Sequence, residues 1–182
     1  HDGIAKILSQ LRKSYDSVKV NCRLIKLTAD SQLKGLEDKC SLHSLSDDQR
    51  WALLTKTRSE ALQKFLADEK AEVLSCPTVV TISGQAALVQ VATTDGAALT
   101  GFQLSANPHL IADSSVIRLS HSVTVGELAK DAQAAVHESL VGSGQTLLLV
   151  IEQPGKVDGP PDRFVVMLTP EHVKEEEETL PR

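Results

Sequence analysis

Gly142-Ser143-Gly144-Gln145-Thr146 has the residue types of a backbone cradle for an anion. A phosphate loop would continue into a second half with the Lys that reaches the phosphates, and would open a helix. This run has no such Lys and leads into Thr146–Ile151, an apolar stretch of strand length. A hydrolase elbow places a glycine two residues to each side of the serine at a strand-to-helix turn. Both glycines here adjoin Ser143, and Leu147-Leu148-Leu149 continues as strand, so the run reads as a hairpin turn. The six histidines are His1, His43, His109, His121, His137 and His172, and no two stand at the close helical spacings of metal pairs. His109 and His121 lie on neighbouring strands, but a turn centred near Asp113 pairs His109 with about Ile117. Cys22, Cys40 and Cys76 are too far apart for the close pairs of zinc or thiol-redox motifs. Cys22 reads as a core residue. One disulfide with an odd thiol left over stays open in an oxidising compartment, and the spacing does not select the pair. The acidic pairs Asp47/Asp48 and Asp68/Glu69 sit at helix ends, where capping and solvation account for them. The expectation is a chain with no catalytic constellation, no metal and no cofactor.

The elements that carry these residues follow from composition and periodicity. With 182 residues, 41% of them hydrophobic and 24% charged, the chain is long enough for one core without staples. Nineteen Lys and Arg against 24 Asp and Glu give a net charge of −5, which argues against a nucleic-acid partner. No run approaches the ~20 apolar residues of a membrane-spanning helix. The opening His1-Asp2-Gly3-Ile4 has neither Met nor a leader pattern, so a natural N-terminus upstream is expected.

Ile4, Ile7, Leu8, Leu11 and Tyr15 form one helical stripe. From Val18 to Leu27 the period changes to two, the mark of a half-buried strand. Residues 28–45, polar and interrupted by Gly35, read as a loop. Ser46-Asp47-Asp48-Gln49 has the spacing of a capping box, predicting a helix to about Ala67 with Trp51 as a core anchor. Beyond it come Glu72–Leu74, Pro77, and a hairpin of Thr78–Ile82 and Ala86–Val91 around Ser83-Gly84-Gln85. A second hairpin pairs Gly101–Ile111 with Ser115–Val125. A third pairs Thr146–Ile151 with Phe164–Leu168 around Gly155–Pro161, and Thr169-Pro170 is expected to break the last strand. Gly126–Leu140 is ambiguous: Ala-rich helical spacing competes with a strand over Val136–Val141. Lys174–Arg182, with four consecutive Glu, reads as a disordered acidic tail.

Read in order, these segments resemble the β-domain of the secretin family. Val18–Leu27 is similar to its first strand, with Asn21-Cys22 where Glu-Ala is usual. Leu74-Ser75-Cys76-Pro77 followed by Ser83-Gly84-Gln85-Ala86-Ala87 resembles the family's Leu-Ser-x-Pro strand and Gly-Gln-x-Ala turn. Gly101-Phe102-Gln103-Leu104-Ser105-Ala106-Asn107-Pro108 resembles Gly-x-x-Leu-x-Val-x-Pro, and Ile117-Arg118-Leu119 matches Ile-Arg-Leu. Gly144-Gln145-Thr146-Leu147-Leu148-Leu149 and Val165–Pro170 resemble the family's Gly-Gln-Thr-Val-Val-Leu and its closing Thr-Pro strand. The structural motif residues carried by the resemblance are Pro77, Gly84, Gln85, Pro108, Gly144, Gln145, Thr146 and Pro170.

The resemblance runs from about Val18 to Val173, with departures. Only nine residues separate Val91 from Gly101, where channel-forming secretins carry a long gate and barrel segment, and Val150-Ile151-Glu152 replaces Gly-Gly-Leu. Leu45-Ser46-Asp47-Asp48-Gln49 fits a divergent branch. The resemblance implies an α+β fold, an antiparallel or mixed meander of secretin-core type with an N-terminal helix and one inserted amphipathic helix over about 47–67. It implies a single β-domain over 1–173 with the helical insertion at 46–68, and takes Ala134–Val141 as strand after a connecting loop at 126–133. It implies a non-enzymatic structural module of a type II or type III secretion envelope protein, in periplasm or at the outer membrane, with protein partners that include copies of itself. A reading from another class is a ligand-binding or hydrolytic domain on a similar scaffold, using the Gly155–Pro161 loop or His109 and His121.

Overall fold

The computed structural model describes residues 16–46, 48–95, 98–111, 115–128, 135–153 and 161–173, with Gly3 besides. The expected first helix, the acidic tail, the hairpin tip at 112–114 and all of Gly155–Pro161 except its last residue lie outside the described residues. Among those described, the chain runs β1 (Ser17–Leu27), α1 (Asp30–Lys39), β2 (His43–Ser44), β3 (Gln49–Leu54), α2 (Lys56–Asp68), β4 (Glu72–Ser75), β5 (Thr78–Ile82) and β6 (Ala87–Asp95), then β7 (Ala98–Leu110), β8 (Val116–Glu127), β9 (His137–Gly142), β10 (Thr146–Gln153) and β11 (Asp162–Val173). One sheet has the order β2-β3-β10-β11-β1-β4, with β5 also on β1; the second has the order β6-β7-β8-β9. The pairings are antiparallel, and the class is α+β, as expected.

The apolar runs of β10 and β11 lack a polar side because both faces of their sheet are covered. Leu147, Leu149, Ile151, Phe164, Val166 and Leu168 pack on Phe102, Leu104 and Leu119 of the second sheet. On the opposite face Leu148, Val150, Val165 and Met167 meet Leu36 of α1 and Leu62 and Leu66 of α2. The molecule is therefore three layers deep: a polar-faced sheet, a buried central sheet and a helical cover.

The two sheets repeat one scheme. In the first, Ser17 pairs with Ile82, Val20 with Pro170 and Leu147 with Leu168. In the second, Val116 pairs with Gly142, Leu119 with Pro108 and Ala87 with Ala106. The order β5-β1-β11-β10 is thus matched strand for strand by β9-β8-β7-β6, and the register carries over residue by residue. Phe102 and Phe164 occupy equivalent buried positions in this scheme, as do Val80 and Leu140 on the two outer strands.

Four expectations are corrected. Residues 28–45 are not a loop throughout, since they contain α1. Gly35, read as a breaker, is where the Phe65 ring sits; a Cβ there would lie 2.2 Å from Cζ of Phe65. The Gln32 side chain accepts from the Thr28 and Ala29 N–H groups and donates to the Glu69 carbonyl at 2.8 Å, tying α1 to the end of α2. Second, the inserted helix does not start at 47. Gln49–Leu54 is a strand held between β10 and β2, and the helix begins at Lys56 behind Thr55, whose hydroxyl accepts from the Arg58 N–H. Ser46 instead bonds Asp48 through its hydroxyl at 2.6 Å. Third, Pro170 does not end the last strand: β11 continues to Val173. Fourth, Ser83-Gly84-Gln85 does not close a hairpin, because β5 and β6 belong to different sheets, and the same is true of Gly142–Gln145 between β9 and β10. For the ambiguous segment, the strand prevails over His137–Gly142. Gly126 lies within β8 rather than in a loop, and 129–134 fall outside the described residues.

The repeat offers an internal control on the helical cover. Leu148 is fully buried beneath the helices, whereas its counterpart on β6, Leu88, is 63% exposed. Leu148→Ala is expected to cost about 3 kcal/mol and Leu88→Ala less than about 0.5 kcal/mol, measured by urea unfolding.

Candidate functional site: twin corners and the edges beside them

The motif residues singled out from the sequence gather at the two places where the chain changes sheet. At the first corner the Gln85 N–H donates to the Ile82 carbonyl at 2.9 Å, and at the second the Gln145 N–H donates to that of Gly142 at 2.8 Å. Gly84 and Gly144 have φ of +83° and +79°, the left-handed conformation that the third position of a type II turn requires. Each glycine N–H then donates to a proline carbonyl: Gly84 to Pro108 at 2.7 Å and Gly144 to Pro170 at 2.9 Å. Two residues past each proline, a backbone N–H donates to the corner serine hydroxyl, Leu110 to Ser83 at 2.9 Å and His172 to Ser143 at 3.0 Å. The serine N–H groups complete the set by donating to Asp16 and Ser115, just before β1 and β8.

This geometry explains why proline is tolerated deep in β7 and β11. The N and C=O of one strand residue point to the same side. The Pro108 and Pro170 carbonyls point at the corners, so each imide nitrogen faces a place where no strand asks for a donor. Pro77 acts differently. Its carbonyl accepts from the Cys22 N–H at 2.9 Å, but it has no N–H to return, so it separates β4 from β5 along the edge of the central sheet. Thr146 follows the second corner and is buried; its hydroxyl meets Ser59 at 2.9 Å and Thr169 at 2.7 Å, linking α2 to β10 and β11. Gln145 also accepts from the Gly142 N–H through its side chain.

The corners bring edges together. Because β5 leads directly into β6, the β4/β5 edge of the central sheet and the β6 edge of the second sheet lie on one flank. That flank carries Val73, Leu74, Val80, Leu88 and Val91 as exposed large apolar side chains. The opposite edge of the second sheet is β9, with Leu140 exposed and Val136 just before it. Strands of this kind present unpaired backbone groups beside apolar side chains.

Reactive chemistry is not assembled in the same way. Beside α2 lies a cleft of about 330 Å³ reached by Arg23, Lys56, Ser59, Glu60 and Gln63. The Ser59 hydroxyl accepts from Thr146 and from Gln63 rather than facing an imidazole or carboxylate that could take its proton. His109 and His121 do not meet: they pair with Arg118 and Ala106, on opposite faces of the sheet, and the expected partner of His109, Ile117, is one residue out of register. Sequence spacing missed a different pair, His121 and His137, which stand directly opposite on β8 and β9. The Gly142–Val116 register locates it once the corner is recognised. Burial, with Cys76 adding to it, pushes the Cys22 thiol up to about 12. Burial also raises that of Cys40, against the opposing pull of Arg58 and Lys39. All three cysteines are free, and Cys76 is exposed. Among the described residues no helix is long and apolar enough to cross a membrane.

No protein-family model matches the sequence, and no curated protein matches it either. Among solved structures, the chain is similar to the type II secretin GspD of enteropathogenic Escherichia coli, at 12% identity over 96% of this chain and 74% of that one, with a TM-score of 0.47. It is also similar to InvG, the secretin of the Salmonella SPI-1 type III secretion injectisome, in its open-gate state. There the identity is 11%, the coverage 98% and 67%, and the TM-score 0.36.

Two outcomes test the corners and the thiols. Ser83→Ala and Ser143→Ala are each expected to lose about 1 kcal/mol, by equal amounts within error, in equilibrium unfolding. Maleimide at neutral pH is expected to modify Cys76 in the native protein and to reach Cys22 and Cys40 only after unfolding, as read by mass spectrometry.

Proposed function

We propose that this chain is a non-enzymatic assembly module of a secretin-like cell-envelope protein, acting in protein secretion or envelope assembly through strand-edge contacts. One observation carries the reading: edge strands of both sheets, joined at a corner, present exposed apolar side chains on a single flank. A strand added to either edge gains a backbone ladder and covers the apolar side chain beside it, Val80 on β5 or Leu88 on β6. The complement on a second copy is the β9 edge, where Leu140 occupies the position equivalent to Val80. Because the two flanks differ, joining one to the other is a head-to-tail contact, which closes into a ring when the rotation permits. The sequence resemblance supports the same reading. Its segments fall in the family's order, and its Gly-Gln turns and terminal prolines occupy the two corners that set these flanks.

The whole domain over 1–173, and the place of the protein at the periplasm or outer membrane, belong to this proposal. The motif residues Pro77, Gly84, Gln85, Pro108, Gly144, Gln145, Thr146 and Pro170 serve it as scaffold: they hold the edges in place and touch no substrate.

Light scattering coupled to size exclusion tests the proposal on the full chain. The wild type is expected to self-associate, and Val80→Lys with Leu88→Lys on one flank, or Leu140→Lys on the other, to leave monomers. Mixing the two variants is expected to restore dimers only, since each keeps one intact flank. A wild type that stays monomeric up to about 100 μM, where contacts weaker than about 5 kcal/mol would go unseen, and binds no envelope protein would overturn the reading.

A further inference from the structure

We propose that His121 and His137 form a two-imidazole site for a divalent transition-metal ion such as Zn²⁺, spanning the seam between β8 and the edge strand β9. The two residues are directly opposite in the antiparallel ladder, and their ring centres are 6.0 Å apart with the planes tilted by 43°. His121 is only 2% exposed. Its Nδ1 lies 3.3 Å from the Leu119 carbonyl, and its Nε2 is buried with no hydrogen-bond partner among the described residues. A ring that donates Nδ1–H to a backbone carbonyl is fixed in the tautomer whose Nε2 carries the lone pair, which is how protein scaffolds orient metal-binding imidazoles.

The spacing suits an ion. With metal–nitrogen bonds of about 2.0–2.1 Å, two ligating imidazoles have centres roughly 5–6 Å apart. Rotation of the half-buried His137 side chain covers the remaining difference. Burial lowers the pKa of His121, with the Leu119 bond opposing and His137 reinforcing, in the direction that favours the uncharged ring. Glu138, the nearest carboxylate on β9, is turned to the other face, where it accepts from the Ser120 hydroxyl at 3.1 Å. Among the described residues no third His, Cys, Asp or Glu completes a set of three. The remaining coordination positions are left for water, which the half-buried His137 on the edge strand can meet.

The repeat argues that the pair is not a by-product of the fold. At the equivalent rungs of the central sheet stand Cys22 and Pro77, so the paired imidazoles are particular to β8 and β9. An ion held there would pin the outer strand to its neighbour, and so would control the edge on which Leu140 sits.

Isothermal titration of ZnCl₂ into the full chain at neutral pH, against His137→Ala and His121→Phe, tests the site. The wild type is expected to bind one ion, each variant to bind at least tenfold more weakly, and zinc to raise the melting temperature of the wild type alone. His137→Ala keeps the test valid if filling the His121 position perturbs folding, because His137 is half-buried on an edge strand. Equal affinity in wild type and His137→Ala, as binding through His1, His43, His109 or His172 would give, overturns the proposal. So does the lack of any binding heat at about 1 mM zinc, the range where a contact of roughly 4 kcal/mol would still register.

Discussion

The architecture depends on a hydrogen bond made twice, from a glycine N–H in a left-handed turn to the carbonyl of a proline on a neighbouring strand. Gly84 to Pro108 and Gly144 to Pro170 fix the two points where the chain leaves one sheet for the other. A chain that must change sheet exposes backbone groups that a hairpin would have paired, and those groups need partners. Here the serine supplies a hydroxyl acceptor, the glutamine N–H closes the turn, and the proline offers an acceptor without a competing donor. Each corner residue type follows from one of these demands. Glycine is needed for its φ, serine for a short side chain that reaches the strand, and proline because nothing lies opposite its nitrogen.

The same scheme used twice leaves two sheets of equal register and different fates. On the central sheet, Leu148 and Val150 have helices above them, and the chain invests the 44 residues between Leu27 at the end of β1 and Glu72 at the start of β4 largely in α1, β3 and α2. A salt-bridge chain fastens this cover: Glu37 and Glu152 share Arg50 at 2.5 and 2.6 Å, while Arg163 joins Glu152 to Asp30 at the head of α1. The second sheet has no such cover among the described residues, and on its inner strands β7 and β8 the outward residues are accordingly polar, with Gln103, Ser105, Asn107 and Ser120 beside the inward Phe102, Leu104, Ala106 and Leu119. Burial on one face or two decides whether a strand alternates or reads as an unbroken apolar run.

Most strands were legible because the period-two pattern survives wherever one face is wet, as in β1, β7 and β8. The turn residues were legible too, but their meaning was not. Ser-Gly-Gln predicts a tight turn in either case, and only the partners of the flanking strands decide between a hairpin and a corner. The partners of β5 and β9 lie far away in sequence, so no local signal carries that information. Local signals also misled at Gln49–Leu54, where a run compatible with a helix is held extended by β10, a partner about a hundred residues downstream. At Gly35 the error was of another kind: glycine marks a missing side chain as readily as a break, and here the gap is filled by Phe65. The pairing of His121 with His137 was hidden for the same reason as the corners, since it depends on a register that the second corner sets.

What the scaffold leaves available follows from these constraints. Hydroxyls that could serve chemistry, Ser59, Thr146 and Thr169, are linked in a chain of hydrogen bonds across α2, β10 and β11. Thr146 donates its proton to Ser59, and the Ser59 oxygen accepts from Gln63 as well, so this group of hydroxyls serves as a tie between helix and sheet. The edges are under the opposite constraint. Pro77 shortens the run of β4 and β5, which limits indiscriminate pairing. Val80, Leu88 and Leu140 nevertheless remain outside, at positions the repeat makes equivalent to sites that are buried or edge-bound in the other half. Apolar groups kept wet on paired, registered strands are stabilised only by something that covers them, and a strand from a second chain does so without disturbing either corner.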